Sequence, residues 1–352
     1  MNDIRKVLSY NDVLLCPRNS ELEHISDADI AIFYDTFVGT SYPIINAPMT
    51  KVCSPELIHF LSHNGCPTTI HRWFDSPEEQ IAFFEKCKPA DYGHGCFLSV
   101  GILAKWQSWI DKLIEYKEDD HTWGCFGFLV DVANGDTKAV VDTVKYLEKN
   151  IGHHDTSIMA GNVATRSGFA RLQDAGANYI RVGIGGGSIC STRLNTGFGI
   201  PTLTSVFDCA KVKDTAYLVA DGGIENAGDI CKAMAAGADM VMLGKMLAAT
   251  SMSGGEKHTI NDKRFVEYSG MASKEAIYKL KSKKSVVSIE GVSGLIPYVG
   301  ETEDVLKELI GNLQSAVSYY AGCRDWKEFR RKVKFLEISQ QGWEESKTRV
   351  NL

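Results

Sequence analysis

The sequence predicts an α/β fold, a (β/α)8 or TIM barrel, on three observations. Eight short apolar runs recur along the 352 residues, each followed by a polar or glycine-bearing turn and then a stretch with helical periodicity. Several runs are apolar on both faces, as strands of a parallel sheet covered by helices must be. No GxGxxG follows the first runs, which places the alternative, an open doubly wound sheet, second.

In chain order the strand runs are PIINAPM (43–49), PTTI (67–70), CFLSV (96–100), FGFLVDVA (126–133), SIMAGN (157–162), YIRVGI (179–184), YLVADGG (217–223) and MVMLGKM (240–246). Helices are expected between them at Pro55–Ser62, Pro77–Cys87, Lys138–Lys149, Ser167–Ala175 and Ala227–Ala236. The last two close on Ala-Gly-Ala, where glycine can end a helix in the left-handed conformation. Residues 250–300 are rich in Lys, Ser and Gly and poor in periodicity, so a lid or binding loop is expected, with a mobile flap over 265–300. Glu303–Tyr320 reads as a helix within a C-terminal helix and charged tail over 301–352. No Pro/Ser linker divides the chain, which predicts a single domain over 1–352.

Composition narrows the function. With 44% hydrophobic and 23% charged residues, the chain can bury a core and is not disordered. Its 38 Lys+Arg against 44 Asp+Glu give a net charge of −6, with no long basic run, which argues against nucleic acid as a partner. No stretch reaches the roughly 18 apolar residues that span a bilayer, so no membrane association is expected. Ten cysteines show no CxxC pair and no zinc spacing. The opening MNDIRKVLSY has no apolar signal segment, so a cytoplasmic location with reduced thiols is expected.

In such a barrel, chemistry belongs on the loops after the strands. The most unusual is GIGGGSICSTRLNTGFG (183–199), with six glycines in seventeen residues. Glycines let backbone approach a ligand closely, and the loop gathers Ser188, Cys190, Thr192 and Arg193. A cysteine among backbone donors and beside an arginine favours the thiolate, the attacking species. The bland alternative is a flexible loop with an incidental cysteine. Ala220-Asp-Gly-Gly223 and Leu243-Gly-Lys245 end the last two strands, where barrels often hold phosphate on backbone N–H groups. Asp221 suits a sugar's hydroxyls or a helix cap; Lys245 suits phosphate or a solvated helix start. His71, after the second strand, reads as a satisfied structural histidine.

The signature loop resembles that of the inosine-5′-monophosphate dehydrogenase / guanosine-5′-monophosphate reductase superfamily. LSYNDVLLCPRNS (8–20), INAPM (45–49), IHR (70–72), AGNVAT (160–165), ADGG (220–223) and YSGM (268–271) fall in the family's order, over nearly the whole chain. The uniform spacing leaves no room for the CBS insertion usual in the dehydrogenases. DVANG (131–135) is similar to the reductases, and residues 272–289 hold a Tyr but none of the Arg that dehydrogenases pair with it to activate water. The chain departs from the family at Gly186 for a usual Pro, which should loosen the loop, and at Ser191, Lys245 and Val287. ADGGI and EGVSG read more like the dehydrogenase.

The resemblance implies a GMP reductase, in which NADPH reduces GMP to IMP with release of ammonia. Cys190 would attack purine C2, and Thr192 with Glu290 would relay the proton to the departing amine. It implies substrate contacts at Ser188, Asp221, Gly222, Gly223, Gly244, Lys245, Tyr268, Gly270 and Met271. Asp131, Asn134 and Asn162 would lie on the cofactor side. A potassium ion would sit on the carbonyls of Gly185, Gly187 and Cys190, and the family habit is a homotetramer. The alternatives are a CBS-free IMP dehydrogenase using NAD, and a non-catalytic barrel binding a purine mononucleotide.

Overall fold

A computed structural model describes residues 4–89, 94–118, 126–151, 156–270 and 291–347. Eight strands form one parallel sheet: β1 (Ile44–Asn46), β2 (Thr68–Ile70), β3 (Cys96–Val100), β4 (Phe126–Asp131), β5 (Ile158–Val163), β6 (Tyr179–Val182), β7 (Tyr217–Asp221) and β8 (Met240–Leu243). Each pairs with the next from β2 to β8, and β8 returns to β1 through Val241↔Ile44 and Leu243↔Asn46. The sheet is a (β/α)8 barrel.

The remaining seam, between β1 and β2, is bridged by a side chain. Thr69 N donates to Asn46 Oδ1 (2.8 Å), and Asn46 Nδ2 donates to the Thr69 carbonyl (2.9 Å). The Thr69 hydroxyl donates to the Asn46 carbonyl at 2.8 Å. The Asn46 amide thus stands in for a peptide group of the ladder, and both residues are fully buried. Asn46→Ala strands the Thr69 N–H and C=O, at a cost of about 2–4 kcal/mol. Denaturant titration is expected to show that loss; an unchanged midpoint would contradict the seam's role.

Strand alternation sorts the apolar residues into two cores. Ile45, Phe97, Leu129, Met159, Tyr179, Val219 and Met240 face the barrel interior, where Tyr34, Phe37 and Val38 plug the N-terminal end. Asp35 fixes that plug by accepting from Tyr179 Oη (2.8 Å) and Ser157 Oγ (2.9 Å). Ile44, Leu98, Phe128, Val130, Ile180, Val182 and Val241 face outward under the helices. With one end plugged, the interior opens at the C-terminal ends of the strands.

The longer helices among the described residues are α1 (Pro55–His63), α2 (Pro77–Cys87), α3 (Leu103–Glu118), α4 (Lys138–Asn150), α5 (Arg166–Asp174), α6 (Thr202–Ala210), α7 (Ala227–Ala236) and α8 (Thr302–Ser315). Ser54 and Ser76 cap α1 and α2 ahead of a proline at the first helical turn, and Thr137, Thr165 and Asn226 cap α4, α5 and α7. The expected glycine terminations hold: Gly176 and Gly237 have φ of 105° and 116°. Two helices, α3 and α6, were not expected; α6 (TLTSVFDCA) is rich in β-branched and hydroxyl residues, which give little helical signal alone. Past α8 the chain continues as a π-helical turn to Tyr320, so the expected helix at 303–320 is present in two parts.

Residues 250–300 are not the structureless stretch expected, where they are described. Lys257–Ile260, Lys263–Ser269 and Ser293–Pro297 form a three-stranded antiparallel sheet. Its first turn is Asn261-Asp262, both at positive φ (49° and 60°), as a two-residue hairpin requires. Exposed, charge-rich strands hide this from a search for apolar runs. The tail also folds back: Phe335–Glu337 pairs antiparallel with Val13–Leu15 and ties the two ends of the chain together. Among the described residues no helix is long and apolar enough to cross a membrane.

Candidate active site

A cavity of about 590 Å³ opens at the C-terminal ends of the strands. Its wall is built from the turns beyond the strand ends: Ala47–Met49 after β1, Arg72 and Trp73 after β2, Asp131 at the end of β4, Asn162 on β5, Gly183–Cys190 after β6, Asp221–Glu225 after β7, and Gly244 and Lys245 after β8. Tyr268 and Gly270 from the antiparallel sheet complete it.

The glycine loop is pinched at its base by an Ile184↔Ile200 bridge. At its tip the Cys190 N–H donates to the Gly187 carbonyl (3.0 Å), and Cys190 Sγ lies 3.2 Å from Thr192 Oγ1. Cys190 pairs with Gly291, and Val292 N donates to the Ile189 carbonyl (3.1 Å), so the antiparallel sheet is stitched to the reactive loop. Arg193 does not partner the thiol as expected. Its Nη2 donates to the Ile200 carbonyl (2.8 Å), and its stem packs where a Cβ on Gly185 or Gly199 would stand. It braces the loop instead. Gly186 is likewise explained by packing, since a Cβ there would fall 2.4 Å from Thr202 Oγ1.

Cys190 is set apart from the other thiols by its position on the cavity. Burial pushes Cys53, Cys66, Cys96, Cys209 and Cys231 up to about 12, and Cys87 higher still. Those groups stay protonated and act as small hydrophobes. Cys125 lies outside the described residues.

Beside the reactive loop further backbone turns converge on the cavity. Gly222 and Gly223 are left-handed (φ 93° and 79°), and Gly222 packs so closely on the reactive loop that a Cβ would meet Gly186 and Gly187 backbone at 3.0 Å. Tyr268 Oη donates to Met49 Sδ (3.7 Å) close to Ser188, and stands where a Gly244 side chain would go. Burial pushes that phenol up to about 12. Lys245 opens a short helix at the cavity wall, with no carboxylate in ion-pair range among the described residues. Backbone donors, two hydroxyls and one cation suit a phosphate.

A buried charge network lines the same cavity. Arg181 Nη1 donates to Asp131 Oδ1 (2.6 Å), and its Nε and Nη2 donate to Asp221 Oδ2 (3.2 and 2.9 Å). Asn162 Nδ2 donates to the same Asp221 oxygen (2.7 Å) and to the Gly183 carbonyl (2.8 Å). Arg72 approaches Asp131 Oδ2 at 3.6 Å.

The structure therefore brings Cys190, Thr192, Ser188, Asp221, Gly222, Gly223, Gly244, Lys245, Tyr268, Gly270, Asp131, Asn162, Gly185 and Gly187 to one cavity. Asn134 is not on its wall: it is exposed, and its Oδ1 accepts from Asp136 N (3.1 Å) in the following turn. Met271, Glu290 and Val287 lie outside the described residues. Sequence reading missed Arg181; a charged residue inside the run YIRVGI was the available signal. Trp73 was missed too, although it directly follows IHR.

His71 is structural, as read. It is buried and stacked on Phe74 with centroids 4.5 Å apart, and its Nδ1 accepts from Trp73 N (3.2 Å). Burial pushes its pKa down to about 4, against a smaller opposing pull from Asp131. Between pH 4 and about 6.5 the unfolded chain binds a proton that the folded one refuses. This contribution to stability is complete above about pH 6.5 and lost as pH falls toward 4. His71→Gln is expected to flatten the fall in melting temperature over that window; parallel curves would contradict the assignment.

A family model described as IMP dehydrogenase / GMP reductase domain matches residues 7–349. GMP reductase 2 of Bos taurus is 33% identical over 347 residues, 97% of this chain and 96% of its own. The GMP reductase of Caenorhabditis elegans is 32% identical over 345 residues, 95% of this chain and 92% of its own. The inosine-5′-monophosphate dehydrogenase of Bacillus subtilis (strain 168) is 36% identical over 258 residues, 70% of this chain and 50% of its own. The chain spans about half the length of the dehydrogenases it matches.

Proposed function

The chain belongs to the IMP dehydrogenase / GMP reductase family, and we propose that within it the protein is a GMP reductase, converting GMP to IMP and ammonia with NADPH. The observation that carries this choice is coverage in both directions: the GMP reductases align over 92–96% of their own length, the dehydrogenases over about half. The absence of any Arg in residues 272–289 supports the same choice. The specific observation on the other side is local identity, 40% over 230 residues with the Nitrosopumilus maritimus dehydrogenase. That makes a CBS-free IMP dehydrogenase the second reading.

In the proposed reaction the phosphate lies on Ser188, Gly222, Gly223, Gly244, Lys245 and Tyr268, and the ribose on Asp221. Gly270 and Met271 lie near the base. Asp221 Oδ1 has no hydrogen bond among the described residues and is open to a sugar hydroxyl. Cys190 attacks C2, forming the S–C2 bond. An amine leaves only when protonated, and in this reading Thr192 passes it a proton from Glu290, the acid the resemblance implies, as the C2–N bond breaks. NADPH, when bound, supplies the hydride that C2 accepts before the thiolate departs. The walls exclude water, which would otherwise capture the same carbon.

The Asp131 side suits a nicotinamide dinucleotide. Trp73 Nε1 is buried there with no hydrogen-bond partner among the described residues, a donor left for a ligand's acceptor, while Arg72 Nε faces Asp131 Oδ2 at 3.6 Å. Potassium on the carbonyls of Gly185, Gly187 and Cys190 is part of the same proposal. A carbonyl donor set without carboxylates suits a monovalent cation, and the Gly187 carbonyl already accepts the Cys190 N–H. A tetrameric assembly and a cytoplasmic location complete it.

Absorbance at 340 nm tests the proposal. Loss of signal with GMP and NADPH is expected; growth of signal with IMP and NAD, and none with GMP, would establish the dehydrogenase instead.

A further inference from the structure

The network across the cavity mouth has a geometry that separate binding sites would not need. Arg181 is 7% exposed and rises from β6, while its two carboxylates come from β4 and β7. Its planar fork spends one nitrogen on Asp131 and two on Asp221, which a point-like ammonium could not do. Asp221 Oδ2 thereby receives three donors, two from Arg181 and one from Asn162. The base of the Arg181 side chain packs directly on Gly161 of β5. A Cβ there would meet Arg181 Cβ at 2.7 Å and its carbonyl at 2.8 Å. Burial lowers the Arg181 pKa, and the two carboxylates more than offset this, so the cation persists.

We propose that Arg181 is a positioning residue that couples the two halves of the site, so that nucleotide bound at Asp221 sets the Asp131 side for the cofactor. This rests on the reading above of Asp221 as the ribose contact and Asp131 as a cofactor contact. A sugar hydroxyl on Asp221 Oδ1 fixes that carboxylate, the fixed carboxylate holds the guanidinium, and the guanidinium holds Asp131. Both carboxylates draw on one guanidinium, so a ligand that draws on one changes what the other receives, and linkage makes the effect reciprocal.

The test is calorimetric titration of the whole protein with GMP, with and without saturating NADP+, a pair that cannot turn over. In the wild type NADP+ is expected to tighten GMP about tenfold, and GMP to tighten NADP+ by the same factor. Arg181→Lys keeps the charge but not the fork. It is expected to weaken GMP alone, because Asp221 loses part of its support, while the coupling ratio falls to about one. Asp131→Asn removes the far end of the strut without touching Asp221 and is expected to lose the coupling likewise. Thermal melting identifies which variants are folded. Wild-type coupling retained in the folded variants overturns the proposal, since a merely structural arginine would leave the ratio unchanged. GMP binding without coupling in the wild type overturns the strut alone. No GMP binding by the wild type overturns the nucleotide assignment and the strut with it.

Discussion

Cys190→Ala is expected to lower turnover by at least about a thousandfold while leaving the GMP dissociation constant within about threefold of wild type. A covalent nucleophile contributes to the transition state and little to the ground state, so its loss falls on kcat. The geometry argues for this split. Cys190 Sγ lies 3.2 Å from Thr192 Oγ1 at the tip of the loop, whereas the proposed phosphate and ribose contacts, Ser188 apart, belong to other turns. The other described cysteines do not line the cavity, and burial holds the thiols of Cys53 and Cys96 protonated. Steady-state kinetics beside calorimetry checks the prediction. Parallel loss of binding and turnover would place Cys190 in structure instead of chemistry.

Gly183→Ala carries the largest expected effect on stability, about 4 kcal/mol or more, enough to threaten folding. Gly183 ends β6 with φ of 147°, and a Cβ there would lie 1.9 Å from the Asp221 carbonyl oxygen. Neither partner can yield, because one is the backbone of β7 and the other opens the reactive loop. Gly197 gives the contrast. It is also left-handed (φ 74°), but a Cβ there meets nothing within 4 Å, so Gly197→Ala should cost only about 1–2 kcal/mol of backbone strain. Denaturant titration of the two variants checks this, and equal losses would contradict the steric account.

Much of the barrel was legible because its signals are local. Each strand buries both faces, each helix repeats its apolar stripe, and Ser-Pro and Ala-Gly-Ala mark where helices begin and end. The reactive loop was legible for a similar reason, since six glycines around a cysteine have few uses. What stayed hidden depends on partners distant in sequence. Asn46 reads as a polar interruption of a strand until Thr69 stands opposite it. Arg181 reads as a charged residue in an apolar run until Asp131 and Asp221 enclose it. Arg193 sits three residues from Cys190 in sequence, yet its fork reaches back to Ile200. The antiparallel sheet over the cavity was missed because its outer strands are largely exposed and its central strand buries only Val266 and Tyr268, so the pattern that finds strands buried on both faces does not apply.

Product analysis tests the central claim most directly. The protein is incubated with GMP and NADPH, and purine nucleotides and ammonia are quantified as the cofactor is consumed. The account predicts IMP and ammonia in equal amounts, each matching the NADPH oxidised. XMP, or cofactor oxidation without ammonia, would contradict it.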